Sequence, residues 1–243
     1  MTQKVKLAIA GVGNCASSLL QGIAFYEGRN LEETAGLMHP QIGPYGPCDI
    51  EPVVAFDIDA RKVGKPLHEA IFAEPNCTTV FQRELPDWGV TVQMGPVLDG
   101  VAAHMAEYPD AQAFRVAEQE SVDIAAALEE SGAEVLVCYL PVGSEEAVKA
   151  YALACLKAGV GMVNCVPVFI ASNPEFAQAF REKGLPIVGD DIKSQFGATI
   201  MHRVLSRLMN DRGVRVERTY QLNTGGNTDF LNMLERERLE SKK

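Results

Sequence analysis

Gly11 and Gly13, which interrupt an apolar run at 5–10, are the first residues of this chain that suggest chemistry. A strand that feeds a glycine turn and then a helix offers a diphosphate free backbone N–H groups and a positive dipole end. Gly11 permits the tight turn, and Gly13 lets a pyrophosphate approach the backbone. Ala16 stands where a small residue allows close helix–strand packing. Asn14 and Cys15 open the helix and join Gly11, Gly13 and Ala16 as candidate cofactor-binding residues. Asp57 ends the second apolar run, where an acid can hold adenosine ribose hydroxyls and repel the 2′-phosphate of NADP. It lies farther from the glycines than the usual spacing of about 20 residues, and an inserted loop at 28–49 accounts for the excess. A solvated acid at a strand end is the plainer reading of the same residue.

Three later segments carry further candidates. Cys138-Tyr139-Leu140-Pro141-Val142-Gly143-Ser144 joins a strand to a helix capped by Ser144, and Leu140 and Pro141 would border the cofactor crevice. Asn164 ends the next strand at the same edge of the sheet. Gly189-Asp190-Asp191-Ile192-Lys193-Ser194 brings two carboxylates and a lysine past a strand end. Either acid can orient the Lys193 ammonium, while Ser194, Thr199 and a helix N-terminus can hold a phosphate. A lysine in a dry site can act as a base or stabilise an enolate as a cation. Asn223-Thr224-Gly225-Gly226-Asn227-Thr228-Asp229 is first of all a turn, and its amides and Asp229 can also bind sugar hydroxyls.

These segments need a scaffold, and the chain supplies an alternating one. Strands are expected at 5–10, 52–56, 91–94, 134–139, 161–164 and 186–188. Helices are expected at 14–26, near 67–72, from about 98, and at 120–131, 144–158 and 173–183. This order predicts an α/β fold, a doubly wound parallel sheet over 1–188. After Gly189 a helix at 194–210, an alternating half-buried strand at 214–222 and a charged helix at 228–240 read as the start of an α+β domain over 189–243. The strand's unsatisfied edge predicts self-association or poor solubility.

Bulk properties set bounds. The 243 residues are 47% hydrophobic and 22% charged, enough for a substantial core. A net charge of −10 argues against nucleic acid or an anionic membrane as partner. Six cysteines without a C-x-x-C pair read as reduced, buried thiols, and four scattered histidines give no metal-ligand spacing. No apolar run reaches membrane-spanning length and no leader-like segment opens the chain, so a cytoplasmic location is expected.

The glycine turn, the strand ending Phe56-Asp57, Tyr139-Leu140-Pro141-Val142-Gly143-Ser144, Gly189–Ser194 and Leu222–Asn227 together resemble the myo-inositol-1-phosphate synthase family, in its shorter actinobacterial form. The likeness runs the length of the chain. It implies a Rossmann-like domain with tightly held NAD, glucose 6-phosphate as substrate, and 1D-myo-inositol 3-phosphate as product for inositol and phospholipid synthesis. The implied isomerase reaction oxidises C5, enolises at C6, closes the ring by aldol attack on C1, and reduces C5 again. Lys193 matches the family's lysine, with Asp190, Asp191 and Asp229 as acidic companions and Asp190 beside the cofactor as well. Ser194, Thr199, Asn223 and Asn227 fall in its substrate-facing segments. The resemblance also implies a homotetramer and, in relatives, further residues after a helix like 234–243 that add catalytic lysines and complete the NAD domain. Residues 1–243 alone are therefore expected to bind NAD weakly and turn over little substrate. An NAD-dependent polyol or sugar dehydrogenase, and a non-catalytic NAD-binding module, are the alternatives.

Overall fold

The computed structural model describes residues 4–33, 35–222, 224–236 and 238. Six parallel strands form one sheet: β1 (Val5–Ala10), β2 (Ile50–Asp57), β3 (Val92–Met94), β4 (Val135–Cys138), β5 (Gly161–Asn164) and β6 (Ile187–Val188). Their spatial order, β3-β2-β1-β4-β5-β6, is that of a doubly wound sheet. The central strand, β1, is apolar on both sides because helices cover both faces. Ala8 and Ala10 pack with Val54, Phe56, Leu136 and Cys138 beneath α3 (Ile124–Ser131), α4 (Glu145–Ala158) and α5 (Pro174–Glu182). Leu7 and Ile9 point the other way, to Ala55, Val92, α1 (Asn14–Tyr26) and the short α2 (Leu67–Ala70). Each large aliphatic or aromatic side chain buried in these layers contributes roughly 1.5–3 kcal/mol.

Local chemistry sets the helix ends. Asp123 accepts a hydrogen bond from the Ala126 amide and starts α3, and Gly132 stops it in the left-handed region at φ 64°. In α4 the stripe Val148, Tyr151, Ala152 and Cys155 is buried, as its spacing requires. Ser144, expected to cap α4, does not. The cap comes from Asp99, whose carboxylate accepts from the Glu146 and Ala147 amides at 2.9 and 3.1 Å.

Other expectations yield to tertiary context. The helix expected from about residue 98 is only a short 3-10 turn at Ala103–Glu107. Leu98 takes φ 42°, and the Ala102 amide is bound by the Asn232 side chain, so no helix propagates there. Residues 214–222 are exposed and join no strand among the described residues. Alternation decides which side of a strand is apolar, yet it cannot supply the neighbour that completes a ladder. α6 (Ala198–Asp211) begins four residues later than expected, because 191–197 form a loop. α7 is confined to Thr228–Asn232, and the rest of the helix expected at 228–240 includes residues outside the described set. α7 also leaves the α+β layer assigned to it, since Leu231 packs against Ala102, Met105 and Ala113. Among the cysteines only Cys138 and Cys155 are fully buried. Cys15 and Cys77 are exposed, contrary to the expected buried thiols, and all six are free. Among the described residues no helix is long and apolar enough to cross a membrane.

Candidate functional site: a cleft at the sheet's switch point

Strand order reverses between β1 and β4, and α/β sheets bind ligands at the carboxyl ends of such strands. A cleft of about 290 Å³ lies there. Gly11, Gly13, Asn14 and Cys15 form one side, Leu140, Pro141 and Ser144 another, and Asp57 and Lys62 a third. Gly11 sits at φ 92°, and a Cβ there would meet the Tyr139 carbonyl oxygen at 2.8 Å. The glycine is thus required for β1 and β4 to converge. A Cβ on Gly13 would meet no atom within 4 Å, so the absent side chain leaves open space at the uncapped start of α1. Ala16 is buried behind the turn, packing rather than facing the cleft.

Asp57 is wired into this turn. Its Oδ2 accepts the Val12 amide at 2.7 Å, and its Oδ1 accepts the Ile58 and Asp59 amides at 2.7 and 2.9 Å. A carboxylate has about four acceptor positions, so one remains for a ligand hydroxyl. Lys62, which no motif singles out, is 2% exposed, and its side chain donates to the Val12 carbonyl at 2.8 Å. Its signal is faint: a lysine a few residues past a strand-terminal acid looks like a solvated cation. Ser144 Oγ is buried at the cleft wall without a hydrogen-bond partner among the described residues. Open space at Gly13, an acid with a spare acceptor position and an orphaned hydroxyl all suit a dinucleotide.

A strap closes part of the cleft. Asn227 and Asp229 line it, although Asn227 also caps α7 by accepting from the Phe230 amide. Asp229 Oδ1 accepts the Val142 amide at 2.8 Å, tying the strap to the β4 loop. Buried Asn232 donates to the Gly100 carbonyl and accepts from Ala102, and the His104 ring donates to the Leu231 carbonyl at 2.8 Å. Arg238, also buried, donates to the Val142 carbonyl at 3.3 Å.

A second cavity, of about 380 Å³, adjoins the first; Asp191 and Ile192 line both. Lys193, Ser194 and Thr199 line it beside the start of α6, where no side chain caps the free amides. Such a helix end with an adjacent ammonium favours a phosphate. Lys193 forms no ion pair among the described residues, so the expected acid–lysine pairing is absent.

Two expected site residues face elsewhere. Asp190 accepts from the Ile170, Ala171 and Ser172 amides and from Asn164 Nδ2, and it lines neither cavity. Burial raises its pKa, but these hydrogen bonds prevail and hold its carboxyl below the ordinary range. Asn164 is buried in the same clamp, donating also to the Val166 and Val168 carbonyls, so neither residue is available to a cofactor. Asn223 lies outside the described residues. At the rim, burial and the neighbouring Cys15 and Asp191 push the Cys165 thiol up to about 11, so it stays protonated at neutral pH. No metal-binding group of three or more His, Cys, Asp or Glu side chains occurs among the described residues.

Comparison with known proteins agrees with this architecture. Residues 197–243 match the profile of the family described as myo-inositol-1-phosphate synthase. Inositol-3-phosphate synthases from Mycolicibacterium smegmatis and Corynebacterium glutamicum are each 55% identical over 243 residues, covering 99% and 100% of this chain. The chain spans about 65% of the length of these relatives. Among solved structures, Ari2 superposes with a TM-score of 0.81 at 38% identity, covering 95% of this chain and 67% of that one. A myo-inositol-1-phosphate synthase-related protein from Thermotoga maritima gives a TM-score of 0.70 over 98% of this chain and 67% of its own, and at 24% identity it speaks for the fold alone. With the cleft, the Lys193 cavity and these identities in register along the whole sequence, the chain belongs to the inositol-3-phosphate synthase family.

Proposed function

We propose that this chain carries the NAD-binding cradle and part of the catalytic centre of an enzyme that converts glucose 6-phosphate to 1D-myo-inositol 3-phosphate. The observation that carries the reading is the wall of Asp191 and Ile192 shared by the two cavities. It brings a dinucleotide cleft and a lysine-bearing anion site side by side. A nicotinamide cofactor held there would take up and return one hydride, giving no net oxidation.

Gly11, Gly13, Asn14 and Asp57 would hold the cofactor's diphosphate and ribose, with Leu140 and Pro141 closing the apolar side. Ser194, Thr199 and the free amides of α6 would anchor the substrate phosphate, fixing the sugar for an intramolecular reaction. Lys193 would place its ammonium beside oxygens that gain negative charge during enolisation and ring closure. Asp191, lining both cavities, and Asp229, at the first, would orient hydroxyls between them. A cytoplasmic homotetramer remains part of this proposal, on the strength of the family likeness.

The test is a titration of the protein with NAD⁺ and then glucose 6-phosphate, with absorbance followed at the NADH band. Sugar-phosphate binding that requires NAD⁺ and leaves no accumulated NADH is the expected result. Stoichiometric NADH release would favour a sugar or polyol dehydrogenase. Failure of glucose 6-phosphate to bind the NAD⁺-loaded protein would overturn the reading.

A further inference from the structure

We propose that Lys62 is a cofactor-recognition residue, which together with Asp57 reads the adenosine ribose diol; this rests on the dinucleotide reading of the cleft. Lys62 is nearly fully buried, yet its ammonium has a single hydrogen bond among the described residues, to the Val12 carbonyl at 2.8 Å. An ammonium has three donors, so two remain at the wall of the cleft. Burying a cation with most of its hydrogen-bonding capacity unused is costly, and such groups persist where a partner arrives.

Asp57 lines the same wall and supplies the complementary deficit. Three backbone amides occupy its carboxylate, and one acceptor position is left on Oδ2. One spare anionic acceptor beside spare cationic donors matches a vicinal diol, in which each hydroxyl both donates and accepts. A lone carboxylate would satisfy only the hydroxyl protons. The two side chains also hold the Val12 backbone on both sides of its Cα, Asp57 at the N–H and Lys62 at the C=O. The ribose reader is thereby locked to the glycine turn that receives the diphosphate.

The experiment measures binding of ADP and of 2′,3′-dideoxyADP to the unaltered protein and to Lys62→Met. The unaltered protein should prefer ADP. Lys62→Met should weaken ADP about tenfold or more, as expected for loss of a charge-assisted hydrogen bond, and leave dideoxyADP nearly unchanged. Equal weakening of both nucleotides would make Lys62 a turn-shaping residue and overturn the proposal, as would no weakening of either. Lys62→Gln, which keeps a donor for Val12, serves as the second variant should Lys62→Met melt early, and the same preference for losing ADP is expected of it. If neither ADP nor NAD⁺ binds the unaltered protein, the dinucleotide reading itself fails, and that outcome is distinct from the other two.

Discussion

At the scale of single residues, the two glycines of the turn separate folding from binding. Gly11→Ala forces a Cβ to within 2.8 Å of a backbone oxygen and places alanine at φ 92°. A loss of about 2–3 kcal/mol in folding stability is expected, seen in denaturant melts together with loss of NAD⁺ binding. Gly13→Ala adds the same methyl to empty space at φ −102°, so stability should change by less than about 0.5 kcal/mol. Its NAD⁺ affinity should nevertheless fall at least tenfold by calorimetry, because on the proposed reading the methyl would stand where the diphosphate approaches. Equal effects of the two substitutions on binding and stability would contradict this division. Much of the cleft was legible: an apolar run, two glycines and a distant acid mark residues that line it. Lys62 and Ser144 were not, since Lys62 is buried with a single hydrogen bond and the Ser144 hydroxyl with none among the described residues, which no local pattern encodes.

Among elements, the Asp190–Asn164 clamp joins the end of β5 to the 170–172 turn and the approach to Lys193. Asp190→Asn should destabilise the fold by about 2 kcal/mol, through loss of charge-assisted acceptors for three amides. The hydrogen bonds hold the folded-state pKa below the ordinary 3.8, so the stabilisation is present above that value and disappears as pH falls through the lower folded-state value. The stability gap between native and variant protein should be flat between about pH 5 and 8 and should narrow below about pH 4. Asn232→Leu tests the strap, leaving the Gly100 carbonyl and Ala102 amide unpaired at a cost of about 2 kcal/mol. Limited proteolysis should then cut residues 225–236 faster, with the sheet core still protected. The six strands of the sheet and most helices were readable because each buries a continuous stripe, whereas 214–222 alternates without joining a strand. The acids were harder to place, since Asp190, Asp191 and Asp99 look alike in sequence. Their separate roles as clamp, cavity wall and remote helix cap depend on where the chain folds back.

For the whole molecule, α6 presents an unburied amphipathic helix. Val204, Leu205, Leu208 and Met209 are all exposed, as are Val214, Val216, Tyr220 and Leu222 beyond it. Apolar surface on this scale promotes association. Light scattering should show the apparent mass of residues 1–243 rising with concentration, and Val204→Lys with Leu208→Lys should suppress that rise without altering NAD⁺ affinity. A concentration-independent monomer would sink this expectation.

The strap lends the molecule a temporal order. The turn, the wall of Asp57 and Lys62 and the β4 loop are all translated before residue 145, whereas the covering contacts at Asp229 and Asn232 reach back some 90 to 130 positions along the chain. Domains assemble from the N-terminus as they leave the ribosome. A nascent chain would therefore expose a lidless cleft for several seconds, at translation rates of about 5–20 residues per second. Loading of the cofactor before its roof is made would let the ligand template the final closure.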